Sequence, residues 1–178
     1  MRQPPPEHER STGARPAGIT TEQAATAVQQ MFDTIAPSYD RANHLLSAGI
    51  DRYWWTRTAR LFRPILQHPE TVALDLCCGT GDMTLALLKH RPTTPEAAPI
   101  LAVDFSHRML SLGAKKLAPH NIIPIEADAL HLPLADCSVD LVTSAFGFRN
   151  LANYEEGLAE LHRYASGEGE ILVAREPC

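Results

Sequence analysis

Short apolar runs alternate with longer stretches in which apolar positions recur every three or four residues. The runs fall at residues 72–76, 100–103, 122–125, 139–144 and 170–174. Each is the length of a strand covered on both faces. Helical periodicity appears between and before them. Ala24, Ala27, Val28, Met31, Phe32 and Ile35 follow a capping Thr20 or Thr21, and Pro37 is expected to stop that helix. Met83, Leu85, Ala86, Leu87 and Leu88 form a second helix, with Thr80 or Asp82 as its cap. Met109, Leu110, Leu112, Gly113 and Leu117 form a third, ending near Pro119. In residues 154–163, Leu158 and Leu161 should face inward and Glu155, Glu156 and Glu160 outward. Strands alternating with helices predict an α/β fold, a doubly wound and mostly parallel sheet with right-handed crossovers. Pro124 suits an edge strand.

Length and composition narrow this picture. The chain has 178 residues, 44% of them hydrophobic, enough for one domain with a core. Residues 1–18, with Pro4-Pro5-Pro6, should be a disordered tail; residues 19–178 form the domain, with 19–63 as an N-terminal helical lid. A net charge of -5 argues against broad nucleic-acid binding. No run is apolar and long enough for a membrane helix. The four cysteines show no metal-ligand spacing, and no metal site is expected. A reducing cytoplasm is the expected location.

The chemistry concentrates at strand ends. The stretch Leu74-Asp-Leu-Cys-Cys-Gly-Thr-Gly-Asp82 reads as strand, glycine turn and helix start. Gly79 and Gly81 permit positive φ and let a ligand lie against the backbone. No lysine stands where a P-loop needs one, and no third glycine completes a dinucleotide fingerprint. Asp75 and Asp82 would repel a pyrophosphate. A cationic nucleoside suits the turn better, and S-adenosylmethionine is one. Asp75 lies near the carboxyl end of its strand, where open α/β sheets bind ligands. Asp104 ends the second strand and is placed to accept both hydroxyls of a ribose, or to cap the helix after it. Asp128 can accept from an adenine amine while the Ala129 N–H meets a ring nitrogen; the alternative is an Asp that closes its own turn. After the fourth strand, Arg149 and Asn150 offer donors to a substrate oxygen, and Phe146 and Phe148 offer apolar walls. Tyr39 and Asp40 read either as a lid segment over the pocket or as an Asx turn. Cys77 and Cys78 should pack as small buried residues. Ile50, Trp54 and Trp55 interleave with Arg52, Arg57, Arg60 and Arg63, as on a helix resting on a membrane surface or packing on a core with a solvated basic face.

These segments resemble the class I S-adenosylmethionine-dependent methyltransferases, and more narrowly the menaquinone/ubiquinone biosynthesis C-methyltransferases. The matching pieces are Met31-Phe-Asp-Thr-Ile-Ala-Pro-Ser-Tyr-Asp40, Leu46-Ser-Ala-Gly-Ile-Asp51, Leu74 to Asp82, Val103-Asp-Phe-Ser106, Ala127-Asp-Ala129 and Phe146-Gly-Phe-Arg-Asn150. The resemblance implies that Thr80, Asp104, Asp128 and Ala129 contact S-adenosylmethionine, and that the loop from Asp75 through Gly79 to Gly81 holds its methionine part. It implies C-methylation of a prenylated hydroquinone, with Arg149 stabilising a phenolate and Tyr39, Asp40 and Asn150 orienting the ring. Peripheral contact with the inner membrane and a homo-oligomer are compatible with it. The sequence departs from the family at Ala145, where serine is usual, and at Ser166-Gly-Glu-Gly169, where Pro-Gly-Gly is usual. It also ends at Cys178, before the family's last two strands, so the fifth strand should be a sheet edge and the activity of the short chain is an open expectation. The competing expectations are a cofactor-binding remnant without turnover and a methyltransferase for another small molecule.

Overall fold

A computed structural model describes the backbone of residues 13–16, 18–46 and 50–174, and the side chains of 13–16, 18–36, 50 and 52–165. Five strands, β1 (Ala73–Leu76), β2 (Ile100–Asp104), β3 (Ile122–Glu126), β4 (Val139–Ala145) and β5 (Ala165–Ala174), pair in parallel in the order β3-β2-β1-β4-β5. The strand order reverses between β1 and β4, the kind of place where open α/β sheets bind ligands. β1 is wholly buried and fits the continuous apolar run that a central parallel strand requires. β3 is an edge strand, and its Pro124 lies opposite Ala102 where its missing N–H costs no ladder bond to a further strand.

Helices α1 (Thr21–Leu46), α2 (Ile50–Leu61), α3 (Arg63–Leu66), α4 (Asp82–Leu88), α5 (His107–Leu117) and α6 (Tyr154–Tyr164) complete the fold. One face of the sheet buries Ala73, Ile100, Ala102 and Leu141 against Phe62, Leu66, Met83, Leu87 and Leu117. The other buries Leu74, Leu76, Val103 and Val142 against Leu130, Leu132, Leu161 and Tyr164. At about 1.5–3 kcal/mol for each large apolar side chain, these two layers hold the sheet in register.

The structure corrects several expectations. α1 runs through Pro37 to Leu46; proline removes one hydrogen bond and bends a helix more readily than it ends one when the pattern continues. α4 is capped by Gly81 at φ 90, with no side-chain cap from Thr80 or Asp82. Leu158 is 51% exposed and Leu112 48%; the inward residues are Gly157, Leu161 and Tyr164 on α6, and Met109, Leu110, Gly113 and Leu117 on α5. β5 starts directly after α6, and its register with β4 jumps from Val139↔Ala165 to Leu141↔Glu170, so residues 166–169 belong to the strand. The expected disordered tail lies outside the described residues up to residue 12. Its end is ordered: the Ala14 N–H donates to the Leu151 carbonyl at 2.8 Å, and a Cβ on Gly13 would meet the Ala152 carbonyl oxygen at 2.3 Å.

Candidate functional site

A cavity of about 560 Å³ opens at the carboxyl ends of β1 to β4 and is walled on the outside by α1 and α2. That is large enough for a nucleoside and part of a second molecule. Gly79, Asp104, Asp128, Ala129, Arg149 and Asn150 all line it. The strands place them: each follows the carboxyl end of β1, β2, β3 or β4.

Asp104 is held most firmly. Its Oδ2 accepts the Gly79 N–H at 2.7 Å, and its Oδ1 accepts the Ser106 N–H at 2.9 Å. The Phe105 N–H also bonds to this carboxylate, so of its roughly four acceptor sites about one is left over. Burial pushes the Asp104 carboxyl up, while the N–H bonds from Ser106 and Gly79 pull it back. The helix cap is Ser106, whose Oγ accepts the Met109 N–H at 3.1 Å. Gly79, at φ 57, has open space where a Cβ would stand, so a ligand can approach its backbone closely.

Asp128 closes its own turn and also lines the cavity: Oδ1 accepts the Leu130 N–H at 3.0 Å, and Oδ2 lies 3.9 Å from His131 Nδ1. Ala129 is buried behind it. Arg149 and Asn150 lie on a single 3-10 turn, Phe148–Asn150, with the Arg149 carbonyl accepting the Tyr154 hydroxyl at 2.8 Å. The wall between them and β1 is tight. A Cβ on Gly147 would lie 2.1 Å from Cys77 Cβ, so only glycine fits there. Cys77 at φ 57 and Phe146 at φ 64 carry left-handed backbone on either side of this contact, a conformation that costs of order 1–3 kcal/mol in a non-glycine residue.

Four expected residues do not line the cavity: Phe148, which stacks on Tyr154 and packs against the core, and Asp75, Thr80 and Gly81. Asp75 is 0% exposed and points toward α4. Thr84 Oγ1 donates to its Oδ2 at 2.6 Å, and Thr143 Oγ1 donates to its Oδ1 at 3.2 Å. Burial pushes its carboxyl up to about 7 against the pull of those hydroxyls. Thr80 is buried on the far side of the turn, where its Oγ1 accepts from Lys116 Nζ at 2.9 Å while Lys116 also pairs with Asp82 at 2.7 Å. Gly81 faces Leu117, which a Cβ would meet at 2.7 Å. Asp75 and Thr80 therefore build the floor beneath the turn. Cys78 is buried as expected, while Cys77 is half-buried, packing against the core and also lining the cavity. The side chains of Tyr39 and Asp40 lie outside the described residues.

Two residues not singled out by sequence reasoning join α1 to the site. Gln29 Nε2 donates to the Phe105 carbonyl at 2.8 Å, and the Ser106 hydroxyl donates to Asp33 Oδ1. Both partners directly follow Asp104, and the Asp33 charge adds to the upward push on its carboxyl. The only available signal was their i, i+4 spacing on the helix face beside Ala25 and Phe32. Among the described residues no group of three His, Cys, Asp or Glu side chains can hold a metal.

The donor set fits a cationic nucleoside. Two half-buried acids, Asp104 and Asp128, line one end, and the glycine turn carries no cation of its own for a phosphate.

Comparison with known proteins agrees with this geometry. The model of the ubiE/COQ5 methyltransferase family matches residues 20–176. A demethylmenaquinone methyltransferase of Deinococcus radiodurans is 40% identical over 168 residues, covering 92% of this chain and 66% of its own length. A ubiquinone/menaquinone biosynthesis C-methyltransferase, UbiE, of Geotalea uraniireducens is 39% identical over 154 residues, covering 82% of this chain and 61% of its own length. The chain thus spans just under two thirds of the length of these curated relatives. Phosphoethanolamine N-methyltransferase 1 of Haemonchus contortus, solved with phosphoethanolamine and S-adenosylhomocysteine, aligns with a TM-score of 0.68 at 22% identity, over 87% of this chain and 33% of that one; this likeness concerns the fold.

Proposed function

The chain belongs to the ubiE/COQ5 methyltransferase family, and from that premise we propose that it methylates a ring carbon of a prenylated hydroquinone, either demethylmenaquinol or the corresponding ubiquinol precursor. The observation that carries the reading is the polarity of one continuous cavity: acids Asp104 and Asp128 toward β2 and β3, and Arg149 with Asn150 after β4. A cationic cofactor and an anionic acceptor can then lie side by side. S-adenosylmethionine, when bound, supplies an electrophilic methyl group.

The chain's own residues do the rest. Asp104 accepts from the ribose hydroxyls through the acceptor capacity that the Gly79, Phe105 and Ser106 N–H groups leave open. Asp128 accepts the adenine amine through Oδ2, and Ala129 offers its N–H. Gly79 lets the methionine part lie on the backbone. Arg149 stabilises the negative charge of a deprotonated ring hydroxyl, which makes the adjacent ring carbon nucleophilic. Asn150 orients that ring, with Tyr39 and Asp40 of α1 as further orienting groups. Phe146, Met31 and Trp54 exclude water and accept apolar parts of the substrate. The prenyl tail implies peripheral contact with a membrane.

Methyl transfer to a reduced short-chain demethylmenaquinol, read by mass spectrometry of the product, tests this. The expected result is a singly C-methylated quinol, with Arg149→Ala lowering kcat by about a hundredfold or more. A chain that binds S-adenosylmethionine but methylates no quinol would contradict the quinol reading and leave a cofactor-binding protein.

A further inference from the structure

α2 has two unlike faces. Trp55, Ala59 and Phe62 turn toward the core. The opposite face carries Ile50, Tyr53, Trp54 and Leu61, with Tyr53 59% and Leu61 67% exposed. Arg57 stands among them, its guanidinium donating to the Tyr53 hydroxyl at 3.3 Å, and Arg60 and Arg63 follow, all exposed. This local positive charge runs against a chain whose net charge is -5. The face is continuous with the cavity: Met31, Ile35, Ile50 and Trp54 line the cavity and are themselves exposed at its mouth.

We propose that this face of α2 lies on an anionic lipid bilayer and holds the cavity mouth against the acyl boundary. Tyr and Trp prefer that boundary because each has an apolar body and a polar tip. Arginines beside them can keep their stems along apolar surface and their guanidinium groups among lipid phosphates. No described helix is long and apolar enough to cross a membrane, so the contact is interfacial. A second copy of the chain would have to bring together two arginine-bearing faces, which repel, whereas an anionic surface complements them. The purpose of the contact rests on the quinol reading, because a prenylated substrate would then enter from the bilayer through the rim of Met31, Ile35, Ile50 and Trp54. The contact itself rests on the surface chemistry alone.

The test is co-sedimentation of chain 1–178 with sucrose-loaded vesicles of phosphatidylcholine, and of phosphatidylcholine with phosphatidylglycerol in equal parts. Binding to the anionic vesicles that weakens with salt is expected. Arg57→Gln with Arg60→Gln should lower the partition coefficient about 25-fold. Tyr53→Ser with Leu61→Ser should lower it about tenfold or more. None of these four residues lines the cavity, so calorimetric binding of S-adenosylmethionine should be unchanged in both variants, which also shows that they fold. Wild-type chain that ignores anionic vesicles, or variants that bind them equally well, would overturn the proposal. So would a dimer in sedimentation velocity that Tyr53→Ser with Leu61→Ser dissolves, since the face would then belong to a second copy. Vesicle binding without quinol methylation would remove the quinol reading and keep the docking face; quinol methylation without vesicle binding would do the reverse.

Discussion

The two ends of the cavity are built differently. The acid-lined end is made of strand termini whose side chains are fixed by backbone N–H groups: Asp104 by Gly79 and Ser106, Asp128 by Leu130. The outer wall is made of α1 and α2, joined to the sheet loops through Gln29 and Asp33 and leaving Met31, Ile50 and Trp54 exposed. The first end is rigid because it is continuous with the hydrogen-bonded sheet. The second packs its inner side on the core through Ala24, Ala59 and Phe62 and keeps an apolar outer surface, which on the proposed function suits the end that admits a bulky apolar molecule. On the proposed function, preorganisation belongs to cofactor binding and adaptability to the acceptor.

Changes at the rigid end should be felt in stability first. Asp75 is protonated in the fold up to about pH 7, whereas in the unfolded chain it titrates near 3.8. Between these values the folded state holds the extra proton. Its contribution is full below about pH 4 and is lost as pH rises toward 7, a change on the order of 4 kcal/mol. Asp75→Asn should flatten that slope, as read from urea midpoints at pH 4.5 and 7.5; an unchanged slope would mean that another group carries it. Gly147→Ala comes next. It forces a Cβ into Cys77 and should cost about 2–3 kcal/mol in thermal unfolding. A neutral result would show that the β1 and β4 loops can part, and the contrast in rigidity would fail.

At the outer wall the effects should fall on binding with little loss of stability. Asp33→Ala removes the acceptor of the Ser106 hydroxyl and one hydrogen bond between α1 and the Asp104 loop. It should weaken S-adenosylmethionine binding about fivefold, near 1 kcal/mol, with unfolding nearly unchanged. Lys116→Met, which breaks a half-exposed pair with Asp82 beneath the glycine turn, should cost less than about 1 kcal/mol. A larger loss of affinity from Lys116→Met than from Asp33→Ala would reverse the ranking of the two regions.

This difference also explains what was legible in the sequence. Strand runs, the glycine turn and the acid ending β2 are local patterns, and Asp104, Asp128, Ala129, Arg149 and Asn150 line one cavity as their strand ends implied. The direction of Asp75 was not legible. A strand buried on both faces has no polar alternation to say which side a residue takes, and Asp75 faces α4. The direction of Thr80 is not legible either, because a residue between two left-handed glycines can turn either way, and its partner Lys116 lies on α5. Gln29 and Asp33 escaped because their partners, Phe105 and Ser106, are far along the chain. Local preference makes Pro37 a stop, which the continuing helix overrides.

On the proposed function, Asp104 anchors a cationic nucleoside cofactor. Calorimetry of S-adenosylmethionine against chain 1–178 and its Asp104→Ala variant tests it most directly. The account predicts micromolar binding, roughly 7–8 kcal/mol, weakened about a hundredfold or more by the substitution. Equal affinity in the two folded proteins, or no heat from the wild type, would contradict it.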